Sequence, residues 1–255
     1  MNTVEDVKKH IINKIASSPL ISEPFDHKFV ENIFPDNFYN DLLINIPNKK
    51  NYVAINKTGR VSSAYSPERF VFNLLDKKEL DTIEENKKLF LQDLLKTLLS
   101  NDLFSSVTSQ FSKTIDYRLA NLSETEKETL GESNYKFFIK TSLVKDFTKY
   151  SLGAHTDVLT KFVTFLFYIP ENDDLKNVGT ALYEPINNIN SDNHQTKEDT
   201  SKNFKKIKTC PFIPNSLLVF PRTNNSFHGV EEVNIEKKER NLMQLNYFFD
   251  IRNQQ

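Results

Sequence analysis

The chain has 255 residues, of which 38% are hydrophobic and 26% charged, and its formal net charge is -1. This length and composition predict one globular domain with a substantial core, and the near-neutral charge argues against a nucleic-acid or anionic-membrane ligand. The sequence has neither a membrane-span-length apolar stretch nor the apolar core of a signal peptide, and the single Cys210 excludes an internal disulfide, so a cytoplasmic location is expected.

Residues 1–133 are predicted to be mostly helical and to support the rest of the chain. The stretch "EPFDHKFVENIF" favours a short strand, and Pro47 ends the helix that begins after Pro35. Apolar residues at helical spacing predict four helices, over 3–16, 36–46, 76–100 and 101–114.

The residue pattern changes at about residue 134, after which Phe, Tyr, Val, Ile and Thr recur in short runs separated by turn residues. These runs predict strands over 135–147, 161–169, 179–185, 216–221, 226–233 and 240–250. Close spacing of strands is typical of a sandwich or barrel, here part of a single domain over 1–255. The polar segment 186–203 interrupts them and is predicted to be a flexible insertion, with a role as a lid and with His194 exposed.

Candidate metal ligands occur at the start of this β-rich region. On an extended backbone His155 and Asp157 point to the same side, so both side chains can reach one point. His228 follows a predicted strand and a turn and supplies a third ligand. Two imidazoles and one carboxylate form the facial triad of non-haem Fe(II) oxygenases, in which further coordination positions stay open.

Arg240 lies at the start of the last predicted strand, in apolar company. A planar guanidinium can hold a carboxylate through two parallel hydrogen bonds, which suits the far carboxylate of a 2-oxo acid that chelates the metal. Counting in twos from Arg240 places Gln244 and Asn246 on the same face of that strand. Asn246 is therefore a candidate substrate contact, as are Arg69 and Arg222.

The order His155-x-Asp157, His228 and Arg240, embedded in short strands, resembles the Fe(II)/2-oxoglutarate-dependent oxygenases, and most of all their prolyl-hydroxylase-like branch. The resemblance covers roughly residues 134–250. It implies an α+β fold in which these residues form a double-stranded β-helix (jelly roll), the catalytic core, with the N-terminal helices packed on one sheet.

The resemblance also implies the roles of the site residues. His155, Asp157 and His228 are implied to bind Fe(II), and Arg240 to bind 2-oxoglutarate together with Tyr168. Tyr150 precedes His155 by five residues and can reach 2-oxoglutarate or the substrate. Oxygen is the further cosubstrate, and the resemblance also allows ascorbate.

The implied activity is hydroxylation of a C–H bond in a small molecule or in a peptidyl or carrier-linked substrate. The intact Asp157 differs from the halogenases of the superfamily, in which a small residue stands at this position. The alternative is a cupin-like metal-binding barrel that acts as an isomerase or a binding module. Such a barrel does not need a cationic anchor, so Arg240 favours the oxygenase.

Overall fold

The computed structural model describes residues 3–61, 65–131, 135–187 and 196–251, and the strands within these ranges form two sheets. The strands are β1 (Lys28–Glu31), β2 (Val53–Ala54), β3 (Arg69–Asn73), β4 (Phe137–Asp146), β5 (Leu152–His155), β6 (Lys161–Tyr168), β7 (Thr180–Pro185), β8 (Phe204–Cys210), β9 (Ser216–Pro221), β10 (His228–Val230) and β11 (Arg240–Phe249).

The larger sheet has seven strands in the order β1-β9-β6-β11-β4-β3-β2, and the smaller sheet has four in the order β5-β10-β7-β8. Neighbouring strands pair antiparallel in both sheets. The described residues therefore combine helices with antiparallel sheets, in agreement with the predicted α+β class.

The α-helices are α1 (Val4–Ser17), α2 (Asp36–Asn45), α3 (Lys77–Leu80), α4 (Glu85–Leu98), α5 (Asn101–Gln110), α6 (Ser112–Ala120), α7 (Glu124–Leu130) and α8 (Lys197–Asn203). Helix α8 contacts β5 and β8 of the smaller sheet, whereas the helices before it pack on the outer face of the larger sheet. Thr3 and Asp6 form a capping box that starts α1, and Val7, Ile11 and Ile15 bury one face of it. None of the helices in the described ranges is long and apolar enough to cross a membrane.

Strand β6 shows how the larger sheet separates two hydrophobic cores. Phe165 and Phe167 face the helices, whereas Leu166 and Tyr168 belong to the core between the two sheets. Side chains of a strand alternate between its faces, so a strand that is buried on both sides reads as a continuous apolar run. Residues on neighbouring strands that pair with Leu166 and Tyr168 point to the same side and also face the space between the sheets.

Several boundaries differ from the sequence prediction. The helix predicted over 76–100 is two helices, α3 and α4, and the helix predicted over 101–114 covers α5 and the start of α6. Strands β2, β3, β5 and β8 were not predicted. These strands are short or polar on one face, so the local sequence gives little sign of them. Their extended conformation depends on pairing with a neighbouring strand.

The predicted insertion 186–203 is described only in part. Its C-terminal end forms α8, and Thr200 in that helix accepts a hydrogen bond from the backbone N–H of Ala154 at 2.9 Å. His194 lies outside the described residues. The flexibility of the insertion and its role as a lid stay predictions.

Candidate metal centre and buried arginine pair

The structure brings the three predicted metal ligands together. His155 ends β5, Asp157 follows it by two residues, and His228 begins β10, where it pairs directly with His155. One candidate ligand atom from each residue lies within 4.8 Å of the others, and all three residues are buried. The centroids of the two imidazole rings are 4.4 Å apart.

Close approach of β10 to β5 requires the glycine that follows His228. A Cβ atom at Gly229 would lie 2.5 Å from the carbonyl oxygen of Leu152, which is closer than side chains tolerate. Gly229 therefore allows the two short strands to meet with both histidines side by side.

Hydrogen bonds to the backbone set the tautomer of both histidines. Nδ1 of His155 lies 2.9 Å from the carbonyl oxygen of Gly153, and Nδ1 of His228 lies 3.0 Å from that of Ser226. A carbonyl only accepts, so Nδ1–H donates in both rings and Nε2 carries the lone pair of the neutral ring. Burial lowers the pKa of His228, which favours this neutral form.

Asp157 is held as a carboxylate by two donors. Lys161 donates from Nζ to Oδ1 at 2.6 Å, and the hydroxyl of Thr164 donates to Oδ2 at 2.6 Å. Burial alone would raise the pKa of Asp157, but the Lys161 ammonium helps to hold that pKa well below its ordinary value. Oδ2 lies 4.0 Å from Nε2 of His228.

The backbone after Asp157 is fixed by two buried arginines. Arg222 donates from Nε to the carbonyl oxygen of Asp157 at 3.2 Å, and Arg118 donates to the carbonyl oxygens of Leu159 and Lys161 at 2.7 and 2.9 Å. Both guanidinium groups lie near the carboxylate of one helical residue: Glu126 Oε1 is 2.8 Å from NH1 of Arg222 and 3.7 Å from NH2 of Arg118.

A cavity of about 400 Å³ lies between the sheets and includes the three ligands in its lining. One face of β11 forms much of its wall, through Arg240, Leu242, Gln244, Asn246 and Phe248. The prediction that Arg240, Gln244 and Asn246 share a face is confirmed. We call the part of the cavity beside His155, Asp157 and His228 the ligand end.

We call the part beside Arg240 the arginine end. Arg69 and Arg240 line it, and they lie in one row of the larger sheet with Asp146, which is not among the described lining residues. Asp146 on β4 pairs directly with Arg240 on β11 and with Arg69 on β3. Arg69 donates to both oxygens of Asp146 at 2.6 and 2.8 Å, and NH1 of Arg240 donates to Oδ2 at 2.7 Å. Two buried guanidinium groups thus share one carboxylate, which leaves one net positive charge.

The second partner of Arg240 is a backbone carbonyl. Its Nε donates to the carbonyl oxygen of Val178 at 2.6 Å, and the centroid of the Phe212 ring lies 4.6 Å from the guanidinium carbon. Its NH2 group is buried and has no hydrogen-bond partner among the described residues. A buried donor without a partner is costly in free energy, so this NH2 suits an acceptor that enters the cavity.

Three predicted site residues are not among the described residues that line the cavity, and each stands behind one that is. The hydroxyl of Tyr168 donates to that of Thr180 at 2.7 Å, so Tyr168 supports Thr180. The centroid of the Tyr150 ring lies 4.1 Å from the guanidinium carbon of Arg69. Arg222, predicted to contact substrate, holds the backbone of Asp157, and its fully buried guanidinium also donates to Glu126 and Asn224.

Several residues that matter in this site were not predicted, among them Asp146, Lys161, Thr164 and Glu126. Thr164 carried a signal, because alternation along β6 places it on the same face as Leu166 and both line the cavity. Asp146 is the second residue of a Lys-Asp pair at the end of a predicted strand, and only the pairing of β4 with β3 and β11 gives it its role.

No protein-family model matches the sequence, and no curated protein matches it either. Solved structures with a similar fold include a Pseudomonas putida prolyl-4-hydroxylase, at 9% identity and a TM-score of 0.47, with 95% of this chain and 98% of that chain covered. A 2OG-Fe(II) oxygenase family oxidoreductase from Burkholderia pseudomallei matches at 9% identity and a TM-score of 0.46, covering 97% and 93%.

A third similar structure is HygX from Streptomyces hygroscopicus with nickel and 2-oxoglutarate bound, at 9% identity and a TM-score of 0.45, with 87% of this chain and 82% of that chain covered. At these identities and TM-scores the function of the chain rests on its own site residues.

Proposed function

We propose that the chain is a non-haem Fe(II)- and 2-oxoglutarate-dependent oxygenase that hydroxylates a C–H bond of a small molecule or of a peptidyl or carrier-linked substrate. The observation that carries this proposal is the presence, in one cavity, of a two-histidine, one-carboxylate cluster and of a buried arginine with an unpaired NH2. We further propose that the two sheets are the walls of a jelly roll.

The donor set of the ligand end fits Fe(II). His155 and His228 would bind through Nε2, since Nδ1 of each donates to the backbone, and Asp157 would bind through its carboxylate. Three protein ligands leave other coordination positions for a chelating cosubstrate and oxygen. The chemistry that iron supplies in such a site is oxygen activation coupled to oxidative decarboxylation of the cosubstrate.

The arginine end fits a dicarboxylate. One net positive charge remains after Asp146 has paired with Arg69 and Arg240, and the NH2 of Arg240 lacks an acceptor among the described residues. The far carboxylate of 2-oxoglutarate would supply both the charge and the acceptor. Thr180, which lines the cavity and is oriented by Tyr168, would offer a further polar contact.

The other lining residues would exclude water from the reacting atoms. Leu152, Leu166, Val230 and Leu242 line the cavity with apolar surface. A dry environment strengthens the ion pair at the arginine end and limits side reactions at the metal. The fixed backbone from Asp157 to Lys161 would keep the carboxylate ligand aimed at the metal.

Anaerobic titration with Fe(II) and then with 2-oxoglutarate tests the proposal. We expect a metal-to-2-oxoglutarate charge-transfer band, and succinate formation once oxygen is admitted. His155→Ala and His228→Ala should lose the band at concentrations that saturate the wild type, whereas the control His10→Ala, which removes an imidazole outside the cavity, should keep it. Metal binding without any band would contradict the oxygenase and support a cupin-like metal barrel.

A further inference from the structure

The strand that carries His155 contains an irregularity. His155 on β5 pairs with His228 on β10, and the next pair is Leu152 with Val230. Two residues of β5 therefore lie opposite one residue of β10, which makes this part of β5 a β-bulge. Strand β5 is also an edge strand of the smaller sheet, so the described residues give it a neighbouring strand on one side only.

The bulge turns His155 into the cavity. Residues three apart point to opposite faces of a regular strand. Leu152 and His155 are three apart, yet both line the cavity. Ala154, which lies between them, belongs instead to a separate apolar cluster with Ala181 and Phe204, and Phe204 follows α8 directly. The extra residue of the bulge thus directs the imidazole toward Asp157 and His228 and not away from them.

One peptide unit of the bulge connects the His155 ring to helix α8. The carbonyl oxygen of Gly153 accepts from Nδ1 of His155 at 2.9 Å, and this bond orients the ring and sets its tautomer. The N–H of Ala154 donates to the hydroxyl of Thr200 on α8 at 2.9 Å. That carbonyl and that N–H belong to the same planar peptide group, so a contact that fixes one also fixes the direction of the other. The Thr200 hydroxyl therefore acts on the ring through a single rigid group.

The corresponding peptide unit beside His228 is held by its own neighbours in the sequence. Nδ1 of His228 donates to the carbonyl oxygen of Ser226 at 3.0 Å. The N–H of the same peptide group belongs to Phe227 and donates to the carbonyl oxygen of Asn225 at 2.8 Å. The hydroxyl that holds the His155 peptide, by contrast, comes from Thr200, 46 residues further along the chain than its partner. The orientation of His155 thus depends on a distant helix, whereas that of His228 depends on a local turn.

Contacts at both ends of α8 keep Thr200 in place. At its N-terminus the side chain of Thr196 accepts from the backbone N–H of Asp199, which caps the helix. At its C-terminus the carbonyl oxygen of Asn203 accepts from the backbone N–H of Ile186 at 2.8 Å. Helix α8 contacts β5 and β8, the two edge strands of the smaller sheet. The helix therefore has a fixed position relative to the bulge.

We propose that Thr200 is a positioning residue for the metal ligand His155. Its hydroxyl holds the peptide group between Gly153 and Ala154, and the carbonyl of that group holds the imidazole with Nε2 directed at the metal site. The polar insertion 186–203 thereby contributes to the metal centre through α8 without contacting the metal. The inference rests on the proposed function for calling His155 a metal ligand.

Long-range ¹H–¹⁵N spectra of the histidine side chains test the proposal in the full chain without metal. The spectra are recorded at about pH 8, where ordinary imidazoles are neutral. A ring held with Nδ1–H gives well-separated ¹⁵N shifts for its two nitrogens, whereas a ring that samples both tautomers gives intermediate shifts. We expect separated shifts for His155 and His228 in the wild type. In Thr200→Val, which keeps the shape but lacks the hydroxyl, His155 should show intermediate shifts and His228 should not change.

Metal affinity gives a second measurement, by competition of the protein with a chelator for Co(II). Thr200→Val should weaken Co(II) binding about tenfold, the lower end of the loss expected for an outer contact of a metal ligand. Thr200→Ser keeps the hydroxyl and should retain the wild-type spectra and affinity. The control Ser201→Ala removes the neighbouring hydroxyl, which donates within the helix to the carbonyl oxygen of Glu198, and should behave like the wild type.

Unchanged His155 shifts in Thr200→Val would overturn the proposal. So would equal changes at His155 and His228, because the substitution would then loosen the smaller sheet as a whole. An equal loss of Co(II) affinity in Ser201→Ala would assign the effect to the helix and not to the Thr200 hydroxyl. Failure of the proposed function appears separately, as the absence of the 2-oxoglutarate charge-transfer band in the wild type, since the ring spectra need neither metal nor cosubstrate.

Discussion

At the ligand end of the cavity, His155, Asp157 and His228 lie at the ends of two short strands of the smaller sheet and in the turn that follows one of them. At the arginine end, by contrast, charged residues lie opposite one another within the paired strands β3, β4 and β11 of the larger sheet. The ligand end depends on side chains that hold a loop, and the arginine end depends on strand register.

This difference suggests that the two ends can be perturbed separately. Thr164 and Lys161 act on the carboxylate of Asp157, and Arg222 acts on its backbone. Among the hydrogen bonds given for the described residues, none joins one of these three side chains to Arg69, Asp146 or Arg240. Changes at one end should therefore affect metal binding, and changes at the other should affect cosubstrate binding or stability.

The largest effect is expected from Asp146→Asn. The substitution keeps the size of the side chain but removes the charge that two buried guanidinium groups share, so it should lower the free energy of unfolding by about 3–5 kcal/mol. Urea unfolding measures this loss. The control Asp174→Asn removes one partner of an exposed pair with Lys238 and should cost about 0–1 kcal/mol. A loss below about 1 kcal/mol for Asp146→Asn would show that the row does not depend on its shared charge.

Arg240→Ala should separate the two ends most clearly. Asp146 keeps both hydrogen bonds to Arg69, so the fold and the metal site should persist, while 2-oxoglutarate affinity should fall by about two to three powers of ten. Arg240→Lys should recover only part, because an ammonium lacks the planar fork of donors. Anaerobic titration of the charge-transfer band measures both variants. Wild-type affinity in Arg240→Ala would place the anchor elsewhere.

The smallest effect is expected from a matched pair of threonine variants. Thr164→Val removes one hydrogen bond to Asp157, and loss of such an outer contact typically weakens metal binding about 10–100-fold. Thr180→Val removes the hydroxyl that accepts from Tyr168 at the arginine end and should leave metal affinity unchanged while weakening 2-oxoglutarate. Titration with Co(II), followed by 2-oxoglutarate, measures both affinities. Similar effects of the two variants on metal binding would contradict the independence of the ends.

The part of the site that the sequence could predict is the part set by local geometry. The spacing of His155 and Asp157 on extended backbone, and the alternation that carries Arg240, Gln244 and Asn246 to one face, follow from the period of a strand. The fold class and most strands after residue 134 follow from the same pattern. The convergence of His228 was a hypothesis from residue type and order, and the structure supplies its pairing with His155.

The rest depends on contacts between distant parts of the chain. Asp146 gains its role because β4 lies between β3 and β11, and no local pattern records that order. Arg222 resembles a substrate contact in sequence, since it follows a strand and precedes a polar turn, yet Glu126 on α7 engages it. Tyr168 lies on the same side of β6 as Leu166, but Thr180 and not Tyr168 lines the cavity. Tyr150 contacts Arg69, and Arg69 is the residue of this pair that lines the cavity.

The position of β3 and β1 in the larger sheet has a consequence for the division of the chain. These strands come from residues 1–133, and they cover the outer hydrogen-bonding edges of β4 and β9. A fragment that begins at residue 134 would expose both edges, in strands whose side chains are largely apolar, and unpaired edges of this kind promote intermolecular pairing. Such a fragment should aggregate, because the N-terminal region supplies the strands that pair with β4 and β9, in addition to the helices that pack on the sheet.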